Sequence, residues 1–304
     1  MPSVPAITVI MPALNSADTL RAALDSLTAQ GVSYEAILVD GGSRDETVSI
    51  ASSVPNLRVV SAPGTSIYEA LNRGIEKART SAIALLNTDD TLLPGALAAW
   101  LDGLARAPDA GIVRGLPRFV EIDERGFPAT MERSERWAAR PLDLELLLRG
   151  PCAINSLCIR RGVFRRIGTF ETGYRLASDR DWLLRAWIAG IPIREINTPV
   201  YRYLSHAGSH TLDRDQRNFA AIRREALAIA RYFAFSPTKR PAPDVMRALR
   251  RWHAAETALL GMHQLRTRKW REFGSTISDA FRVTPRWPID LALDIFSRSA
   301  IGAG

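Results

Sequence analysis

Apolar and polar positions alternate along the first ninety residues in two different periods. The run AITVIM (6–11) is continuously apolar, as a strand buried on both faces requires, and the following SADTLRAALDSLTAQG spaces Leu20, Ala23, Leu24 and Leu27 as one helical face. Ser16 is placed to cap that helix and Gly31 to end it. EAILVD (35–40) predicts a second strand. After Gly41 and Gly42, Ser43 and Glu46 stand at capping-box spacing and predict that a second helix starts there. LRVVSAP then reads as a third strand, SIYEALNRGIEKA as a third helix with Ile67, Ala70, Leu71, Gly74, Ile75 and Ala78 on one face, and SAIALLN as a fourth strand. Strand and helix in strict alternation predict an α/β fold: a Rossmann-like, mostly parallel sheet with helices on both faces.

The pattern changes beyond residue 211. DRDQRNFAAIRREALAIARYFAF is helical, the prolines of SPTKRPAPD mark a linker, and helical periodicity resumes from Val245 through Gly274 with Arg, Lys and Trp interleaved. Charge divides at the same place. Residues 216–287 hold 15 Lys and Arg against 5 Asp and Glu, whereas residues 1–215 hold 24 against 25, so the net charge of +8 belongs to the C-terminal segment. Such a segment suits an anionic membrane surface, and a helical cap with a solvated basic face is the plainer alternative. No nucleic-acid motif accompanies the charge, and nucleic acid is not an expected partner. The longest apolar runs are about ten residues, half the roughly 20 that cross a bilayer. The N-terminus has no basic-then-apolar leader, which predicts a cytoplasmic protein, peripheral at most on the inner face of the membrane. Cys152 and Cys158 are too few for a disulfide framework or a zinc site.

In parallel α/β sheets, ligands bind outside the carboxyl ends of the strands. Four polar clusters fall there: PALN (Pro12, Ala13, Asn15), DGGS (Asp40, Gly41), APGTS, and NTDD (Asn87 to Asp90). There is no Gly-x-Gly-x-x-Gly after the first strand and no phosphate loop with Gly-Lys-Ser/Thr, which argues against redox dinucleotides and P-loop nucleotides. An acid at the end of the second strand can accept hydrogen bonds from a base or ribose. Adjacent carboxylates at the fourth suit a divalent cation, Mn2+ or Mg2+, that also binds diphosphate oxygens. Together they describe a bound nucleoside diphosphate. Gly41 and Gly42 allow close backbone approach or simply form a turn. Arg73, on the third helix, is a candidate phosphate contact beside the plainer reading of a solvated arginine. In ASDRDWLLRAW, Asp179 and Asp181 stand at a helix start, where one of them serves as a cap and Asp179 is the candidate general base. His206 and His210, in SHAGSH, are candidates to reach the diphosphate or metal from a loop.

The segments ITVIMPALNSADTLRAALDSL, ILVDGGSRDET, SIYEALNRGIEKA, ALLNTDDTLLPGAL and YRLASDRDWLLRAWIAGI, in that order and spacing, resemble a family-2 glycosyltransferase of the GT-A fold, in the branch that builds bacterial surface polysaccharides. The resemblance spans about residues 5–210. It implies that Asp40 recognises the nucleotide base, that Asp89 and Asp90 stand for the metal-binding Asp-x-Asp element, that His206 joins the metal, and that Asp179 is the base. Pro12, Ala13, Asn15, Gly41, Arg73 and Asp89 would line the nucleotide-sugar site. It further implies a glycosyltransferase domain over 1–211, with a nucleotide half about 5–110 and an acceptor half about 111–211, and a basic helical extension over 212–304. The expected reaction is inverting, with a nucleotide-diphosphate sugar as donor and a glycan or polyprenyl-linked acceptor. One departure stands out: Asn87 occupies a place where the family element carries Asp, removing a negative charge. The Gln-x-x-Arg-Trp signature of processive synthases is absent, which predicts single-sugar transfer. A noncatalytic partner of a glycan-assembly complex is the alternative from another class. A sugar-phosphate nucleotidyltransferase fits less well, because PALNSA lacks the glycine-rich basic loop of that class.

Overall fold

Seven consecutive buried residues, Ile7–Ala13, form β1, which parallel neighbours flank on both sides: β2 (Tyr34–Asp40) and β4 (Ala82–Leu85). β3 (Leu57–Ser61) extends this parallel block beyond β2. The computed structural model describes residues 5–122, 128–130, 136, 139–150, 153–205, 218–235 and 241–301. The chain divides into two compact units, one of residues 1–142 and 150–207, the other of residues 143–149 and 208–304.

The helices of the parallel block are α1 (Ala17–Thr28), α2 (Thr47–Ser52) and α3 (Ile67–Lys77). α1 buries Leu20, Ala23, Leu24 and Leu27, the face its periodicity predicts. α3 opens with a complete capping box between Ser66 and Glu69; it buries Tyr68, whereas Ile67, expected on the apolar face, is exposed. Gly74 lets α3 lie directly on β1, since a Cβ there would come 2.3 Å from Ile10 Cγ2. The capping box expected of Ser43 and Glu46 does not form: α2 starts at Thr47, and Ser43 serves the neighbouring loop instead.

The rest of the first unit adds β5 (Thr91–Leu92), α4 (Ala96–Arg106), β6 (Ile112–Ile122), β7 (Pro128–Thr130), β8 (Leu157–Arg160), α6 (Arg161–Ile167), α7 (Ser178–Ile188) and β9 (Ile193–Ser205). α5 (Leu144–Arg149) groups with the second unit. The strands order as β3-β2-β1-β4-β8-β6-β9-β5, with β7 on β6. β8 pairs antiparallel with both β4 and β6, while β9 is parallel to β6. The sheet is thus parallel in its nucleotide-type half and mixed beyond it. Trp100 of α4, fully buried, fixes the junction by donating from Nε1 to the Ser156 carbonyl at 3.2 Å.

The second unit packs α8 (Phe219–Phe235), α9 (Pro243–Arg266), α10 (Trp270–Val283) and α11 (Trp287–Ile301). The continuous helix suggested by the periodicity from Val245 to Gly274 breaks at Arg268, whose φ of 57° is left-handed. Trp252 is fully buried and hydrogen-bonds Glu256, which also accepts two 2.8 Å bonds from Arg223. A second internal ion pair joins Arg149 to Asp294 at 2.5 Å.

Candidate active site

The carboxyl ends of β1, β2 and β4 meet at one edge, because these strands are adjacent and parallel. Ala13 is in register with Asp40, and Ile10 with Leu85. With β1 between them, the ends of β2 and β4 are about 10 Å apart, two inter-strand spacings. The edge therefore brings Asp40 and the Asp89–Asp90 pair to a distance a nucleoside diphosphate can span.

The loops at this edge are laced together. Asn15, with φ 49°, donates its backbone N–H to Ser43 Oγ at 2.8 Å, and its side-chain oxygen accepts from the Arg44 N–H at 2.9 Å. The Ser16 N–H reaches Thr47 Oγ1 and the Ala17 N–H reaches Asp45 Oδ2, while Thr47 donates to Asp45 Oδ1. These bonds, to Thr47 first, hold the Asp45 carboxyl below its usual range. Asp40, 5% exposed at the end of β2, accepts from the N–H groups of Gly42 and Ser43 at 3.1 Å. Its carboxylate shapes the loop and keeps acceptor capacity for a further donor. Gly42 adopts φ 100° against Pro63, and the Gly41 N–H donates to the Ala13 carbonyl at 2.8 Å. Pro12 and Ala13 lie within β1 as buried strand residues, and only Leu14 and Asn15 emerge from it.

At the end of β4 the two carboxylates differ. Asp90 is 3% exposed, and both its oxygens are engaged: Oδ2 accepts from the Tyr201 hydroxyl (2.8 Å) and the Asn87 amide (3.0 Å), and Oδ1 accepts from the Leu204 N–H (2.8 Å). Burial, and next the neighbouring charge of Asp89, push its carboxyl up to about 7 against the pull of these donors. Tyr201 is saturated in turn, accepting from the Asn87 N–H and Asn155 Nδ2 at 3.1 Å. Thr88 ties this turn to the first loop through Ser16 Oγ at 2.9 Å. Asp89 is partly exposed. Neither Tyr201 nor Asn155 was singled out by sequence; Tyr201 and Tyr203 do alternate along a strand-like run, the one sign that they share a face.

Asp179 stands in the first turn of α7, partly exposed, its Oδ1 accepting from the Arg180 N–H at 2.7 Å. Ala177 holds the N-cap position, so neither acid of this turn is the N-cap residue. Asp181 is buried and paired with Arg185 at 2.8 Å, and burial raises its carboxyl. Arg73 is exposed on α3, near enough to Glu69 to lower that carboxyl after the larger effect of Ser66. Its neighbour Asn72 clamps the chain before α7, exchanging two hydrogen bonds with the Phe170 backbone at 2.8 and 2.9 Å. His206, His210 and Cys152 lie outside the described residues. Cys158 is buried, and its thiol is pushed up to about 12, an inert packing group.

Among the described residues no group of three or more His, Cys, Asp or Glu is placed to hold a metal. Asp89 still fits a divalent cation that arrives with its ligand, since Mg2+ commonly takes one or two carboxylates and completes its shell with phosphate oxygens and water. Asp90, with both oxygens occupied by protein donors, fits that role less well.

Fold and site together define a GT-A type α/β protein with a carboxylate-bearing strand edge. The family model for Glycosyl transferase family 2 matches residues 8–168. The PGL/p-HBAD biosynthesis glycosyltransferase of Mycobacterium tuberculosis is 34% identical over 192 residues, 60% of this chain and 70% of that protein. The succinoglycan biosynthesis protein ExoO of Rhizobium meliloti is 38% identical over 116 residues, 36% of this chain and 31% of that one. Among solved structures, S. aureus TarS 1–349 in complex with UDP-GlcNAc superposes with a TM-score of 0.58 at 15% identity, covering 91% of each chain. The mannosyltransferase PcManGT of Pyrobaculum calidifontis, in complex with GDP-Man and Mn2+, gives 0.56 at 21% identity over 99% of this chain and 81% of that one. The chain belongs to glycosyl transferase family 2.

Proposed function

We propose that the protein transfers one sugar from a nucleotide-diphosphate donor to a glycan or lipid-linked acceptor, inverting the anomeric centre. The observation that carries this reading is the asymmetric pair at the end of β4, a locked Asp90 beside a partly exposed Asp89, across β1 from Asp40. In this reading Asp40 accepts from the nucleoside, Pro12 and Ala13 end the strand beneath it, Asn15 and Gly41 build the loop backbone against which it lies, and Arg73 offers a guanidinium to phosphate. Asp89 is the protein ligand of a divalent cation, which when bound offsets the charge of the diphosphate. Asp179 takes the proton of the acceptor hydroxyl as that oxygen bonds to the anomeric carbon and the carbon–diphosphate bond breaks. Nucleoside diphosphate is the leaving group. Relatives named for PGL/p-HBAD biosynthesis and for succinoglycan biosynthesis support a cell-surface glycan as the product's class.

The test is a screen of UDP- and GDP-sugars for hydrolysis and transfer with Mn2+, with Mg2+ and in EDTA. Asp89→Ala should abolish the metal-dependent part of donor binding. Asp179→Asn should lower turnover by roughly a hundredfold or more with donor binding nearly intact, as loss of a general base does. Turnover by Asp179→Asn at the parental rate would remove it from the mechanism, and equal donor binding in EDTA would remove the metal.

A further inference from the structure

The three residues that follow α6, Gly168, Thr169 and Phe170, lie in no helix or strand, and side chains from two helices hold their backbone. From α7, Trp182 Nε1 donates to the Gly168 carbonyl at 3.0 Å, and Arg185 donates to the carbonyls of Ile167 and Thr169 at 2.6 and 2.8 Å. From α3, the Asn72 amide donates to the Phe170 carbonyl and accepts from the Phe170 N–H. Rings close the same contact: the buried Trp182 ring lies 5.9 Å from that of Phe170, which lies 5.7 Å from that of Tyr68 on α3.

Asn72 thus meets both backbone polar groups of one residue 98 positions away. A leucine of similar size would pack at that place but would leave a donor and an acceptor unpaired. α3 itself is seated on β1 through Gly74, and β1 runs between the strands that lead to Asp40 and to Asp89. The chain of contacts therefore runs from the donor edge through α3, Asn72 and the Phe170 segment to α7, whose first turn carries Asp179. Residues 171–173, which lead from that segment toward α7, are exposed. A general base works within about 2.6–3.2 Å of the proton it takes, and a misplacement of about 1 Å can lower a rate about a hundredfold.

We propose that Asn72 is a positioning residue for sugar transfer: by fixing the Phe170 backbone it sets where α7 holds Asp179 relative to the bound donor. The inference rests on the reading of Asp179 as the base.

The test follows nucleoside diphosphate release from UDP- and GDP-sugars with Mn2+, by the full chain and by Asn72→Ala, Asp179→Asn and the double variant. Asn72→Ala should lower kcat at least tenfold with the donor KM within twofold of the parent. In the Asp179→Asn background the same substitution should change kcat less than twofold, because a residue that acts through the base has nothing left to position. Asn72→Asp, which still accepts from the Phe170 N–H, should fall between parent and Asn72→Ala, and it carries the same expectations if Asn72→Ala folds poorly. Parental kcat in Asn72→Ala, a raised KM with kcat intact, or an equal fall in both backgrounds would each overturn the proposal, the last by marking a general loss of structure. A parent inactive on every donor, or parental turnover by Asp179→Asn, overturns instead the reading on which the proposal rests, and the proposal with it.

Discussion

Asn87 illustrates what a single letter conceals. Beside two aspartates it reads as a missing negative charge, and by that reading an aspartate there would strengthen cation binding. In the folded chain it serves a different end, because its amide donates to Asp90 Oδ2 at 3.0 Å, something a carboxylate cannot do. Asn87→Asp would replace that bond with a like charge at the same distance from a buried acid. A hydrogen bond to a charged group is worth about 1.5–3 kcal/mol, and at about 2–4 °C per kcal/mol for a chain of this size the variant should melt roughly 5 °C lower. Unchanged melting with tighter Mn2+ binding would restore the reading of Asn87 as a lost ligand. Asp40, Asp89 and Asp90 were visible in the sequence because strand-end acids are conspicuous, and Asp179 because it opens a helix. Tyr201 and Asn155 were not, since their role is to satisfy another side chain 46 to 111 positions away, and no local pattern encodes such a pairing.

At the scale of elements, α1 followed from periodicity because it buries one continuous face, and β1, β2 and β4 from their continuous apolar runs, which are buried along consecutive residues. The misreadings share one cause, competition for a polar partner or for backbone conformation. Ser43 was drawn from its expected cap by the Asn15 N–H, and the long basic helix was cut by the left-handed Arg268. α9 also carries a pH dependence that its sequence does not advertise. Burial first, then Arg231, depress the His253 pKa from 6.5 to about 4. Between those values the unfolded chain takes up a proton that the folded one does not. The contribution of neutral His253 is therefore complete above about pH 6.5 and is lost as pH falls toward 4, about 3 kcal/mol in all at 1.36 kcal/mol per unit. Denaturant titrations of parent and His253→Gln should show the parent losing that much more stability between pH 7 and 4; parallel curves would refute the assignment.

For the whole molecule, the charge asymmetry was legible in composition and its geometry was not. Trp252, read from sequence as part of a basic, tryptophan-bearing face, is instead a core residue beneath it. What remains outside is Trp270 at 63% exposure, next in sequence to the exposed Arg266, Lys269 and Arg271, with Phe281, Ile289, Leu293 and Ile295 exposed further along the C-terminal helices. Aromatic and aliphatic groups interleaved with cations suit the interface of an anionic bilayer. No described helix is long and apolar enough to cross one. Each cation near such a surface contributes about 1 kcal/mol, decaying over a Debye length of about 10 Å at 0.1 M salt. Vesicles of phosphatidylglycerol should sediment the protein at low salt and release it as salt rises. Replacing Arg266, Lys269 and Arg271 with Gln should weaken that binding by tenfold or more, with donor hydrolysis in solution unchanged. Parental binding by the triple variant would leave the segment a structural cap.

The bond between Tyr201 and Asp90 spans 111 residues, whereas those that lace the first two loops span about 30. The loop bonds have all their partners once residue 47 is made and the Asp90 bond only at residue 201, so chain synthesis at about 5–20 residues per second separates the two by roughly 8–30 seconds. The nucleotide-side loops can set as soon as β2 and α2 emerge. The acid at the end of β4 then waits for β9, without its phenol and without the Leu204 amide. A ribosome-bound chain halted before residue 201 would hold the parallel block and lack a finished edge. Completion of this edge is thus a late event of biogenesis, coupled to completion of the sheet rather than to formation of its first half.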